Sequence, residues 1–295
     1  RVLVHLTRCF WVTGSRQAVF RDEGLPIAAI ARDGRLTFLT TEDFDRAWEL
    51  GIFCLKVPEH LDLDGARQFG SELLARNSPY RSIQQYGALE GFIALKNNQQ
   101  TKLALRRHHW DQHYPAAITE FGRQLDRIGI AILREVLLQS GIPEPLWPDA
   151  SGGYSSGQGT AFLNFVHYDT RNPDLGLHPH TDYGFVTILD ATTPGLQVEV
   201  NGRFEDVPVL PGHFVINFGE ALHFITAHSE RAVGAVVHRV LSQQSADPIR
   251  QSIVYFANPD LDGTLWQYDV NGEAKGSSSV QDFFAILETN LTEYR

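Results

Sequence analysis

The chain has 295 residues, 43% of them hydrophobic and 20% charged, an ordinary globular balance for one large domain or a main domain with a smaller companion. A net charge of −10 argues against nucleic acid or an anionic membrane surface as partner, and no run of 18 apolar residues offers a transmembrane helix. Two cysteines, Cys9 and Cys54, do not make a disulfide framework, so a reducing, cytoplasmic location is expected.

The opening RVLVHLTRCFWVTG carries Arg8 and no small-residue cleavage pattern, and is not read as a signal peptide. The chain contains no methionine where average usage gives about six. Chance with a trimmed start would account for that, and so would methionines lost from the numbering, which would shorten some spacings.

The first third reads helix, strand, helix. TTEDFDRAWEL has a threonine cap, an acidic first turn and helical spacing of Phe44, Ala47 and Trp48. GIFCLKV (51–57) is a short apolar strand, and LDGARQFGSELLAR is a second helix. Residues 111–140 form a long amphipathic helix with Ile118, Phe121, Leu125, Ile128, Ile132 and Val136 on one stripe, ended by Gly141. SGGYSSGQG (151–159) reads as a junction.

From Ala161 the period changes to two. Strands are expected over 161–168, 177–190, 195–200, 204–209, 213–218, 232–241 and 250–257. The turns Asn172-Pro173, Pro194-Gly195, Asn201-Gly202 and Pro211-Gly212 lie between them. Short strands at this interval point to a sandwich or jelly roll. The expected organisation is an N-terminal α/β region with a long supporting helix (1–155), a jelly-roll core (156–262) and a C-terminal helical lid (263–295), packed as one unit.

His-x-Asp occurs four times, where roughly one chance match is expected. Asp62 of the first follows a strand and reads as a helix cap. The second, His109 and Asp111, opens a helix, where i and i+2 do not share a face. The third, His167 and Asp169, is on a strand and stays a minor rival. The fourth, His180 and Asp182, has a turn before it and apolar strand after it, and i, i+2 spacing puts both on one strand face. His238, 56 residues beyond Asp182, supplies another imidazole from a buried strand. Two imidazoles and a carboxylate on one side of a metal leave the other side open, as in non-haem Fe(II) oxygenases. Zn(II) could bind the same set.

PIRQSIVYF places Arg250 and Ser252 on one strand face. A guanidinium pointing into a barrel needs an anion, and a carboxylate answers it through two parallel hydrogen bonds with the hydroxyl adding a third. An internal Arg–Asp bridge or an exposed edge arginine are the alternatives.

These features resemble the 2-oxoglutarate- and Fe(II)-dependent dioxygenases, in the branch with isopenicillin N synthase and the plant small-molecule oxygenases. The matching stretches are HTDYGFVTIL, PGLQVEVNGRFEDVPVLPGHFVINFGE, VVHRV, RQSIVYFANPD and ELGIFCLKV, within residues 41–262. The resemblance implies a mainly β protein with flanking helices, built on a double-stranded β-helix (jelly roll) with an N-terminal helical region. It implies that His180, Asp182 and His238 hold Fe(II), and that Arg250 and Ser252 clamp the distal carboxylate of 2-oxoglutarate with Tyr168 beside them. O2 then oxidises a small-molecule substrate by hydroxylation, desaturation or ring closure, with succinate and CO2 as co-products. Asn164 and Phe162 are candidates for substrate contact, and His178 for a rim position facing substrate or solvent. The family's Asn-Tyr-Tyr-Pro is here Val166-His167-Tyr168-Asp169, and Arg250 stands 12 residues past His238, slightly more than usual. His213, His223 and His228 are read as core or surface histidines, and Gly184 and Arg239 as structural. A 2-oxoglutarate-independent oxidase, a zinc-dependent enzyme and a non-catalytic jelly-roll protein remain alternatives.

Overall fold

A computed structural model describes residues 24–73, 75, 77–83, 86, 90–95, 100–169, 176–241 and 249–292. The opening segment with Cys9 and the expected Asn172-Pro173 turn lie outside them.

The chain starts with a hairpin, β1 (Ile27–Ile30) and β2 (Leu36–Phe38), then α1 (Thr41–Leu50), β3 (Ile52–Lys56) and α2 (Leu63–Glu72). A second hairpin, β4 (Gly91–Leu95) and β5 (Gln100–Arg106), leads to α3 (Arg107–His113), α4 (Ala116–Gln139) and the short α5 (Trp147–Ala150). The strands β6 (Thr160–Asp169), β7 (Leu177–His180), β8 (Val186–Ala191), β9 (Leu196–Val200), β10 (Arg203–Asp206) and β11 (His213–Phe218) follow. After α6 (Glu220–Thr226) come β12 (His238–Val240), β13 (Ile249–Asn258), the hairpin β14 (Thr264–Tyr268) and β15 (Ala274–Ser279), and α7 (Val280–Thr292).

Nine strands form one sheet in the order β2-β1-β3-β11-β8-β13-β6-β5-β4, and four form a smaller one in the order β10-β9-β12-β7. Together they make the double-stranded β-helix. Alternation sorts the larger sheet's side chains into two sets. Phe53, Leu55, Phe165, Ile188, Ile216, Ile253 and Tyr255 pack against the helices. Ile52, Cys54, Val166, Tyr168 and Val215 point the other way, against Leu196, Val198 and Val240 of the smaller sheet. The second set marks the barrel interior.

Several expectations are corrected. The run 177–190 is two strands in different sheets, because residues 181–185 cross between layers. Gly184 permits the crossing, since a Cβ there would lie 2.5 Å from the Ala257 carbonyl oxygen. Of the stretch 232–241, only 238–240 joins a ladder. The helix expected over 111–140 breaks at Tyr114-Pro115, where proline has no N–H to donate. Its stripe from Ile118 to Val136 is buried as expected, and Gly141 follows it at φ 74°. The hairpins β1–β2, β4–β5 and β14–β15 and helix α6 are additions. Five of the nine strands in the large sheet precede residue 155, so that sheet runs across the boundary placed there. The segment from 263 opens with a hairpin before its helix.

One polar network ties α4 to the sheet. Tyr255 donates its hydroxyl proton to Asp126 Oδ1, Arg107 Nη1 donates to Oδ2 at 2.7 Å, and the Tyr154 and Tyr255 hydroxyls lie 2.9 Å apart. Both tyrosines are fully buried. Asp126→Ala strands a buried hydroxyl and a half-buried guanidinium, so stability is expected to fall by about 3 kcal/mol. Urea unfolding measures it.

Candidate metal centre and co-substrate site

His180 ends β7 and His238 begins β12, and the two are directly opposed across that antiparallel pair. Their ring centroids are 4.3 Å apart. Asp182 lies two residues on, in the segment crossing to the large sheet. Its Oδ1 stands 3.7 Å from His180 Nε2 and 3.7 Å from His238 Nε2. The set has one ligand atom from each residue, all within 4.8 Å of one another. Two ligands ~2.1 Å from an ion and at right angles are ~3.0 Å apart, so a small contraction closes the set on a metal.

The surrounding hydrogen bonds aim these atoms. His180 Nδ1 lies 2.8 Å from the His178 carbonyl oxygen and His238 Nδ1 3.1 Å from that of Val236. Each carbonyl calls for the proton on Nδ1, which leaves the Nε2 lone pair facing inward. Asp182 Oδ2 accepts from Asn217 Nδ2 at 3.0 Å and from Thr187 Oγ1. Asn217 and Thr187 are directly paired across β11 and β8, so the sheet's register positions both donors. With Oδ2 occupied, Oδ1 is turned to the histidines. These two donors were not read from the sequence, because the pairing of strands distant in the chain leaves no local pattern.

Burial opposes the charge on Asp182, yet the two histidines and the Asn217 and Thr187 hydrogen bonds hold its carboxyl below the usual range. Burial, with His238 nearby, brings the His180 imidazole down to about 4. At neutral pH the site therefore offers a carboxylate and an unprotonated imidazole, as a metal requires. His167 is also brought down to about 4 by burial. An unfolded histidine binds its proton near 6.5. Between those values the unfolded chain holds more protons than the folded one, so stability falls as pH drops from 6.5 toward 4. The loss is on the order of 3 kcal/mol at most for each histidine. Urea midpoints at pH 7 and pH 5 are expected to show the lower value at pH 5.

Arg250 and Ser252 sit on the interior face of β13, both buried. Arg250 Nη1 donates to Ser252 Oγ at 3.0 Å and Nε to the Pro194 carbonyl at 3.3 Å, while the buried Nη2 has no partner. Tyr168 is directly opposite on β6, with the guanidinium carbon 5.2 Å from its ring centroid. Burial lowers the guanidinium pKa. Among the described residues no carboxylate meets that guanidinium, which disfavours the internal Arg–Asp alternative, and its burial removes the exposed-edge one. An orphaned, buried donor beside a hydroxyl fits an incoming carboxylate.

The remaining candidates separate. Asn164 is buried on the interior face, its Oδ1 without a partner, and Phe162 is half-buried on the same face. His178 lies on β7 two residues before His180 and is exposed. His167 points to the helix side, opposite to Tyr168, and so leaves the metal question. Asp62 caps α2 through the Gly65 N–H at 2.9 Å. Asp111 pairs with Arg123 on the surface at 2.7 Å. A second group, Glu90, His108 and His109, also brings ligand-type atoms within 4.8 Å. There Arg106 occupies both Glu90 oxygens, through its backbone N–H and its Nε, and a guanidinium in place opposes a second cation.

The fold is a double-stranded β-helix, and its interior carries a two-histidine, one-carboxylate group able to hold a metal. Residues 160–259 match the family profile described as the 2OG-Fe(II) oxygenase superfamily. It is 26% identical over 189 residues to 2-oxoglutarate-dependent dioxygenase 21, chloroplastic, of Oryza sativa subsp. japonica, covering 62% of this chain and 55% of that one. It is 32% identical over 162 residues to 1-aminocyclopropane-1-carboxylate oxidase 1 of Cucumis melo, covering 53% and 49%. The chain thus spans about half the length of the curated relatives it matches. The structure of full-length Neurospora crassa T7H with alpha-KG and thymine superposes with a TM-score of 0.69 at 18% identity, covering 93% of this chain and 100% of that one. Among the described residues, no helix is long and apolar enough to cross a membrane.

Proposed function

We propose that this protein is an Fe(II)- and 2-oxoglutarate-dependent oxygenase that hydroxylates, desaturates or cyclises a small molecule. The reading rests on one observation above all: two Nε2 atoms and Asp182 Oδ1 converge inside a barrel whose only neighbouring interior guanidinium among the described residues of β13, Arg250, has an unpaired N–H. His180, Asp182 and His238 would hold the metal. Bound there, Fe(II) supplies the redox chemistry that couples decarboxylation of 2-oxoglutarate to oxidation of the substrate by O2.

The chain's own residues do the rest. Arg250 and Ser252 grip the distal carboxylate of 2-oxoglutarate, and Tyr168 closes the far side of the guanidinium. Thr187 and Asn217 keep Asp182 ionised and oriented. Val166, Leu196, Val198 and Val240 keep water from the interior. Phe162 and Asn164 face the substrate. Helix α7 covers the barrel mouth, supported by the contact of its Phe284 with Tyr183, the neighbour of Asp182, at 5.6 Å between ring centroids. A cytoplasmic location follows the sparse cysteines, and imaging of a tagged protein tests it.

Anaerobic titration of the Fe(II)-loaded protein with 2-oxoglutarate tests the reading without a known substrate. A visible metal-to-ligand charge-transfer band that saturates is expected. No band, with iron bound at one equivalent, would overturn the co-substrate assignment. In turnover, one succinate per substrate oxidised is expected, and none would point to a 2-oxoglutarate-independent oxidase.

A further inference from the structure

The pairing of β5 with β6 and of β6 with β13 lays out the interior face of the large sheet as rows. Lys102 is opposite Val166, which is opposite Ser252. Ala104 is opposite Asn164, and Arg106 is opposite Phe162, which is opposite Phe256. Phe256 pairs with Thr187, and Thr187 with Asn217, the two donors on Asp182. Leu103 and Leu105, between these residues on β5, belong to the helix side. Lys102, Ala104 and Arg106 therefore face the same space as the metal ligands' supports.

Lys102 is half-buried there and has no hydrogen bond or ion pair among the described residues. Desolvation lowers its pKa, which is the mark of an ammonium without a counter-charge. Arg106 already has Glu90, at the far end of its row. No residue that β5, β6, β13, β8 or β11 presents to the interior is a carboxylate. Diagonally across the pair, Asn164 has a buried amide oxygen without a partner, an acceptor open to a substrate O–H or N–H rather than to a carboxylate. Adjacent strands are ~4.8 Å apart, so the Lys102 backbone lies about 10 Å across the sheet from that of Ser252, and the 2-oxoglutarate affinity of a Lys102 variant tells the two carboxylates apart. Phe162 and Phe256, both half-buried, form an apolar floor between this corner and the metal end.

We propose that Lys102 binds a carboxylate of the primary substrate, and that the substrate is an acid whose apolar body lies over Phe162 and Phe256. The proposal rests on the oxygenase reading and names the substrate class for the same site. Recognition by a desolvated ammonium separates an acid from its amide or ester, because the neutral group leaves the charge unanswered.

The test uses anaerobic Fe(II)-loaded protein and a probe set of 3-phenylpropionate and hexanoate with their primary amides. Affinities are measured by calorimetry with and without 2-oxoglutarate. At least one acid is expected to bind tenfold or more tighter than its amide. Lys102→Gln should erase that preference and Lys102→Arg should keep it, with the 2-oxoglutarate affinity of both within twofold of the parent. The charge-transfer band of each variant reports that its barrel is intact. Acids no better than amides, a preference surviving in Lys102→Gln, or a loss of 2-oxoglutarate binding in Lys102→Gln would each overturn the proposal. Failure of the oxygenase reading is seen separately, as absence of the band in the parent protein.

Discussion

Asp182→Ala is expected to lose iron binding and all turnover, while Asp62→Ala and Asp111→Ala keep both. The three aspartates share the His-x-Asp pattern and differ only in what their oxygens meet. Asp182 turns Oδ1 to two imidazole Nε2 atoms at 3.7 Å and gives Oδ2 to Asn217 and Thr187. Its removal takes away the anionic ligand and leaves two buried donors unpaired, so iron affinity should fall well beyond ~100-fold. Asn217→Ala keeps the ligand and loses only its orientation, which typically costs 10–100-fold in metal affinity. Asp62→Ala removes a helix cap worth about 1 kcal/mol of stability. Asp111→Ala breaks an exposed pair worth under about 1 kcal/mol. Iron content after anaerobic loading and desalting separates the four variants. Equal iron losses in all of them would remove Asp182 from the metal site.

The legibility of the chain followed the range of the interactions. Strands β6, β11 and β13 were readable because a two-sided sheet imposes period two within one segment. The His180–Asp182 pair was also readable, but for a reason that the structure replaces. The two do not share a strand face; the chain leaves β7 after His180 and turns toward the other sheet, and that turn brings Asp182 back to the imidazoles. Hairpin β4–β5 carried a usable signal in KLALR, where Leu103 and Leu105 alternate with Lys102 and Arg106. Leucine, alanine, lysine and arginine are all strong helix formers, and that propensity hid the alternation. Asn217 and Thr187 had no signal, since their meeting at Asp182 depends on which strands become neighbours.

Arg250→Ala is expected to raise the dissociation constant of 2-oxoglutarate roughly 30- to 1,000-fold, about 2–4 kcal/mol, with iron content unchanged. The proposed metal ligands lie on the smaller sheet and the crossing segment, whereas Arg250 lies at the start of β13 of the larger one, so the two proposed functions sit on separate supports. Among the described residues the guanidinium has only a hydroxyl and a backbone carbonyl as hydrogen-bond partners, and its buried Nη2 has none. A buried cation so poorly answered is held at a cost that a ligand carboxylate repays. The same reasoning predicts that Arg250→Ala destabilises the ligand-free protein little, because the substitution removes an uncompensated charge along with its contacts. Lys at this position keeps the charge but loses the planar pair of donors, so Arg250→Lys should recover only part of the affinity. Titrating the charge-transfer band in each variant reads the constants directly. An Arg250→Ala protein that binds 2-oxoglutarate as tightly as the parent would show that the carboxylate is held elsewhere, and would free Arg250 for the substrate.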